Sequence, residues 1–391
     1  MGGKLLIVHG GAPTAVINAS LYGAADEAIR SGKVDRVYGA LGGMGGVLKK
    51  RFFDLKTLPA GELARLPDSP GSAIGTSRDA MEEADYDAVA AVFKEFDIRY
   101  ALFNGGNGTM DTCGKVHAAC VRAGVEVCVA GIPKTMDNDI AVTDHSPGFA
   151  SAARYMAGTV REICADVRSL PIHVCVVEAM GRNAGWVTAA AALARQDGEI
   201  GPDLIYLPER DFSEDDFLAD VEAQWARGKG VTVVVSEGIH GPGGAPLVEP
   251  VFQTGRSVYF GDVSAHLAQL VIKKLGIKAR NEKPGIAGRC SVRWQSAVDR
   301  EEAVRAGREA ARAVLSGESG VMVGFRRLGG ETYRSETFLV PIREVMLHEA
   351  RLPDGYINGR GNGVTEDYAR WCAPLLGEPL PEFITVQGGR P

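Results

Sequence analysis

The segment Lys134-Thr135-Met136-Asp137-Asn138-Asp139 sets two carboxylates two residues apart, beside a lysine and a threonine. In an extended or turn segment, residues i and i+2 point the same way. Two acids so placed can divide the labour of a phosphoryl transfer. Asp137 would accept the proton of an attacking hydroxyl, and Asp139 would help to hold a divalent cation. An Asx-rich turn has the same composition and no chemistry. Here the pair follows the apolar run EVCVAGIP and a lysine, which favours the chemical reading.

Other polar clusters also follow apolar runs. Asn104-Gly105-Gly106-Asn107-Gly108-Thr109 comes after IRYALF and reads as a loop where a ligand meets bare backbone, with asparagine where a cation site calls for a carboxylate. His9-Gly10-Gly11 leads into a helical stretch whose first amides make an anion site. It matches neither GxGxxG nor GxxxxGK[ST], so neither dinucleotide nor P-loop binding is indicated. Arg78, after the small-residue run GSAIGTS, could lie against a phosphate or in water. Met180-Gly181-Arg182 ends the run HVCVVEA, and its glycine lets backbone and guanidinium approach one ligand together. Glu237 ends VTVVVS as an acceptor for sugar hydroxyls, and Arg280 and Arg289 flank a Pro-Gly turn as phosphate forks.

These clusters need strands to carry them. Seven runs (KLLIVHGG, DRVYGAL, YALFNGG, EVCVAGIPK, HVCVVEAMG, DLIYLPE, GVTVVVSEGIH) read as buried strands, alternating with amphipathic helical stretches. That rhythm predicts an α/β fold with mainly parallel sheets covered by helices, and ligands beyond the C-terminal strand ends. The 391 residues exceed one ordinary domain, so two are expected. Residues 241–262 read as a surface excursion, and the segment after about 330 as an extension packed on the body.

A formal charge of −6 gives no support for nucleic-acid binding or for adhesion to an anionic membrane. The first apolar run is too short for a signal-peptide core or a membrane span. Seven cysteines without a CxxC pair fit reduced thiols in a cytoplasmic protein rather than a zinc site.

Taken together and in order, GGAPTAVINASL, GGNGTMDT, PKTMDND, EAMGRNAGW, SEGIH and the KPG…R…VDREEA stretch resemble the phosphofructokinase family over at least residues 4–325. The tail resembles that of longer bacterial members, many of them pyrophosphate-dependent. The resemblance implies two Rossmann-like domains. Residues 1–142, completed by part of 290–391, would bind the donor phosphates. Residues 143–289 would bind the sugar phosphate, and 330–391 would be the extension. It implies Mg²⁺-assisted transfer to the 1-hydroxyl of fructose 6-phosphate, with Asp137 as base, Thr135 and Lys134 beside it, and Arg182 at the transferring group. Gly11, Arg78, Gly106, Asn107, Gly108 and Thr109 would surround the donor. Asp139, Met180, Gly181, Glu237, Arg280 and Arg289, with His173, would face the acceptor, Arg280 reaching in from a neighbouring subunit of a dimer or tetramer. Asn107 and Asp139 are the positions nearest the metal.

Three departures from the family pattern bear on substrate. Asn107 stands where an aspartate is usual, removing a negative charge from the metal site. Gly108 is the residue of ATP users, leaving room for an α-phosphate, whereas Lys134 is that of pyrophosphate users. Steric exclusion is the harder constraint, so ATP is the expected donor and pyrophosphate the alternative. His173, Ile286 and Gly288 replace an arginine, a histidine or tyrosine, and a glutamine. Histidine is mostly neutral near pH 7, which weakens a phosphate site and opens the way to another sugar or sugar phosphate. A silent regulatory paralogue, motivated by Asn107 alone, sits poorly with retained Asp137, Asp139 and Arg182. A dinucleotide oxidoreductase lacks its glycine fingerprint.

Overall fold

β-Branched runs with no face to show to water become the centres of two sheets. The computed structural model describes residues 2–195, 200–254, 257–330, 332–346 and 348–384. In chain order the strands are β1 (Lys4–His9), β2 (Arg36–Ala40), β3 (Phe52–Asp54), β4 (Ile98–Gly105), β5 (Cys128–Pro133), β6 (Val174–Ala179) and β7 (Leu204–Tyr206). They continue as β8 (Val231–Ser236), β9 (Pro250–Thr254), β10 (Ser257–Phe260), β11 (Ala279–Glu282), β12 (Val321–Leu328) and β13 (Arg334–Pro341). The larger sheet runs β13-β12-β5-β4-β1-β2-β3, and the smaller β11-β6-β8-β7. Pairing is parallel throughout the smaller sheet and in the larger one except at its two edges, β2/β3 and β12/β13.

Helices cover both sheets. Helix Ile17–Ser31 packs on helix Ala297–Leu315 at backbone distance: a Cβ on Gly23 would stand 2.0 Å from the Val304 carbonyl oxygen. A stretch near the end of the chain thereby returns to cover the sheet that the first residues begin. Because the central strands are parallel, their C-terminal ends gather on one side. Gly10, Gly106 and Lys134 follow β1, β4 and β5, while Met180 and Glu237 follow β6 and β8. All seven expected strands are present, and the α/β class with mainly parallel sheets is the observed one.

The segment after 330 begins within the larger sheet: Arg334–Pro341 is its antiparallel edge strand, eight residues in register with β12. Beyond it, residues 348–384 contribute Tyr356, Tyr368 and Trp371, which pack together around Trp186. Residues 385–391 of the expected extension lie outside the described residues. The glycine stretch after β4 is barely a loop, because Gly106 alone separates β4 from helix Asn107–Arg122. Residues 241–262 do form a surface excursion, centred on the β9–β10 hairpin with Val251 and Phe252 exposed.

Candidate active site

The donor side is built from strand ends and one helix start. Gly106 caps helix Asn107–Arg122, so the first-turn amides of Asn107 and Gly108 have no intrahelical acceptor, the arrangement that suits an anion. Thr109 is buried against Gly10 and Gly105, where added Cβ atoms would stand 2.3 and 2.1 Å from its Oγ1. At Gly108 the surroundings are open: a Cβ there meets no atom within 4 Å. Gly11, at φ +75°, donates its amide to the Ser77 carbonyl at 2.9 Å, and Thr76 Oγ1 donates to the Gly11 carbonyl at 2.7 Å. Arg78, next along, is exposed.

Lys134 is buried, and its Nζ donates to the Ala12 carbonyl at 2.6 Å. Burial chiefly lowers its pKa to about 8; Arg78 and Arg289 push the same way, against Asp137 and Asp139. Under it, buried His9 is kept neutral, its pKa lowered to about 3 by burial and then by Lys134.

The Asp137–Asp139 turn closes on Thr135. Its Oγ1 accepts from the Asp137 amide at 3.1 Å and donates to Asp139 Oδ1 at 3.0 Å. Asn138 takes φ +54° and accepts the Ser146 amide on Oδ1 at 2.9 Å, which locks the turn to the returning chain. The Asp137 pKa is raised to about 7, by burial first and then by Asp139 and Glu237, while Lys134 and Arg289 oppose. A carboxyl poised near neutrality suits a general base. Asp139 is also raised, mainly by burial, although Thr135 and Asn107 hydrogen bonds resist.

The smaller sheet brings up the residues expected to face the acceptor. Gly181 takes φ +119°, and a Cβ there would lie 3.9 Å from Asp137 Oδ1. Its amide donates to Glu237 Oε1 at 3.2 Å, and its carbonyl accepts Ser236 Oγ at 2.7 Å. Met180 is half-buried against the core. Arg289 has a buried Nε without a partner, and its charge is felt at both Asp137 and Lys134.

Three sequence candidates lie away from this cluster in the single chain. Arg182 turns outward: Nη1 donates to the Val258 carbonyl at 2.9 Å, with the guanidinium 5.1 Å from the Phe260 ring centre. Arg280 is exposed on edge strand β11, and His173 is buried just before β6, at the opposite end from Met180. Burial and then Arg280 lower the His173 pKa, so it is neutral.

Sequence reasoning missed residues 349–352. Glu349 bridges to Ile140, the Ala350 amide donates to the Asp139 carbonyl at 2.8 Å, and Asn183 Nδ2 donates to Glu349 Oε2 at 3.3 Å. About two hundred residues separate this segment from the turn it touches, and no local motif marked it.

Mg²⁺ fits the groups present. Asn107 Oδ1 is buried with no partner, beside the Asp139 carboxylate. Among the described residues no three His, Cys, Asp or Glu converge as an all-protein cage. Mg²⁺ characteristically takes one or two protein groups and completes its shell with phosphate oxygens and water.

The profile of the family described as phosphofructokinase matches residues 4–314. A Rhodospirillum rubrum protein named pyrophosphate–fructose 6-phosphate 1-phosphotransferase is 35% identical over 398 aligned residues, covering 99% of this chain and 98% of its own. A protein of Alkalicoccus urumqiensis named sulfofructose kinase is 34% identical over 389 residues, covering 99% and 98%. The crystal structure of a pyrophosphate-dependent phosphofructokinase from Nitrosospira multiformis superposes with a TM-score of 0.89 at 31% identity, over 100% of this chain and 95% of that one.

Proposed function

The chain belongs to the phosphofructokinase family of phosphotransferases, and from that premise we propose that it moves the γ-phosphoryl group of ATP to the 1-hydroxyl of fructose 6-phosphate. The observation that carries the donor assignment is the open space at Gly108. A side chain there would stand where a donor extends past its two terminal phosphates, and none does.

The acceptor hydroxyl would lie at Asp137, which takes its proton as the new O–P bond forms and the bond to the β-phosphate oxygen breaks. The amides of Asn107 and Gly108, with Lys134, would orient the donor oxygens. Gly181 and Arg289 would hold the acceptor in line, and Glu237 would bind its hydroxyls. Asn107 Oδ1 and Asp139 would hold Mg²⁺, which neutralises charge on the donor oxygens when bound. Arg182, now held by the hairpin, would have to turn inward to reach the transferring group. Exposed Arg280, on an unpaired sheet edge, suits a site shared between subunits of a dimer or tetramer.

Two observations support other substrates. Lys134, and the names of the Rhodospirillum and Nitrosospira proteins, support pyrophosphate as donor. The Alkalicoccus relative, named for a sulfonated sugar, supports an acceptor with less charge than a phosphate dianion. Among the described residues no helix is long and apolar enough to cross a membrane, and a cytoplasmic setting belongs to the same proposal. Turnover measured with ATP and with pyrophosphate against fructose 6-phosphate, its 6-sulfonate analogue and free fructose tests all of these. The reading requires ATP with fructose 6-phosphate to give the highest kcat/KM.

A further inference from the structure

Glu237 lies on the wall of a cavity of about 210 Å³ that Arg182, Asn183, His240, Phe260 and Arg351 also line. The two arginines in it differ in state. Arg182 is spent on the Val258 carbonyl and the Phe260 ring. Arg351 is exposed, and its guanidinium makes no hydrogen bond or ion pair among the described residues. Its charge is felt at Glu209, whose pKa burial raises and Arg351 helps to lower.

The backbone on either side of Arg351 is held far more firmly than its side chain. Ahead of it, the Ala350 amide donates to the Asp139 carbonyl at 2.8 Å, and Glu349 is tied to Ile140 and Asn183. After it, buried Leu352 donates its amide to Glu209 Oε1 at 3.1 Å, the oxygen that also accepts the Gly185 amide at 2.8 Å. One short segment therefore joins the Asp137–Asp139 turn to the loop after β6. It presents a free guanidinium at a fixed place between them.

A carboxylate and an uncommitted guanidinium on one cavity suit a polyol carrying an anionic group: hydroxyls on the acid, oxyanion on the fork. The donor groups at Gly11 and Gly106–Thr109 do not line this cavity. We propose that Arg351, supplied by the C-terminal segment, is a specificity-determining residue that binds the anionic group of the sugar acceptor in the cavity beside Glu237. This rests on the phosphotransferase reading above.

The test uses Arg351→Gln and Arg351→Lys in the full chain. Binding of fructose 6-phosphate and of fructose is measured by calorimetry, and KM for each substrate by initial rates. Because the side chain is exposed, both variants should fold as the parent does. Arg351→Gln should weaken fructose 6-phosphate binding at least tenfold while fructose binding and donor KM stay within twofold, and Arg351→Lys should recover part of the loss. Unchanged fructose 6-phosphate binding, equal weakening of fructose, or a shift confined to donor KM would overturn the inference alone. A parent protein that neither binds nor converts fructose 6-phosphate would overturn the phosphotransferase reading on that sugar, and this inference with it.

Discussion

Asn107 Nδ2 donates to Asp139 Oδ2 at 2.9 Å and to the Asp139 carbonyl at 3.0 Å, while Asn107 Oδ1 stays buried and unpaired. A neutral side chain thus satisfies the acid and leaves one oxygen unpaired, as the proposed Mg²⁺ would need. An aspartate at 107 could not donate, and would set two carboxylates against each other in a partly dry site. Asn107→Asp is expected to lose about 1–3 kcal/mol of stability without metal, from the lost charge-assisted bond and the added repulsion. Mg²⁺ should restore more of it than it adds to the parent. Thermal unfolding with Mg²⁺ and with chelator measures both; a variant as stable as the parent in chelator would refute the account.

On the proposed roles, the two groups with near-neutral pKa values should set a narrow pH window. A base at Asp137 must be ionised, so kcat/KM should fall below its value of about 7. A donor-binding Lys134 must be charged, so kcat/KM should also fall above about 8. The pair interacts, and the two limbs belong to the coupled system. Asp137→Asn should lower kcat by about 10²- to 10⁴-fold with acceptor binding kept, and the acidic limb should vanish. A pH–rate profile of the variant that keeps that limb would assign the base elsewhere.

Gly108→Asp probes the donor. With no neighbour within 4 Å and a position in the first turn of helix Asn107–Arg122, the aspartate should fold without strain and even favour the helix start. It would occupy the volume beyond the two terminal phosphates, so kcat/KM for ATP should fall about 100-fold relative to that for pyrophosphate, near 3 kcal/mol in the ratio. An unchanged ratio would show that donor length is not sensed there.

His145 governs alkaline stability. Its Nδ1 lies 2.8 Å from Asp144 Oδ1 and its Nε2 2.6 Å from Glu302 Oε2, with the ring stacked on Phe325. Burial alone would lower its pKa, but Glu302 and Asp144 outweigh that and raise it to about 9. A raised folded-state pKa gives stability that is complete below the unfolded value near 6.5 and is lost as pH rises through about 9. Thermal midpoints should therefore fall across that upper range. His145→Gln should cost about 1–3 kcal/mol at pH 7 and flatten the decline, because it removes one of the two cations at buried Glu302 and leaves it Arg305 at 3.2 Å. Identical pH slopes in parent and variant would exclude the pairing as the cause.

What the sequence by itself determined is the part of this protein made by short-range rules. Alternating apolar runs and amphipathic stretches specify parallel strands and covering helices, because side-chain period and burial are local properties. That Lys134–Asp139, Gly106–Thr109, Met180–Gly181 and Glu237 stand at the C-terminal ends of strands was legible, because each directly follows an apolar run. Pairings between distant segments were not legible, because they depend on which surfaces meet after collapse. Antiparallel β13 on β12, Asn107 spending its amide on Asp139, and the outward turn of Arg182 onto a hairpin 76 residues away are of that kind. So is the placing of residues 349–352 between the Asp137–Asp139 turn and the loop after β6. An exposed arginine in a chain tail carries no motif, and only the folded backbone around Asp139 and Glu209 gives Arg351 a fixed position to act from.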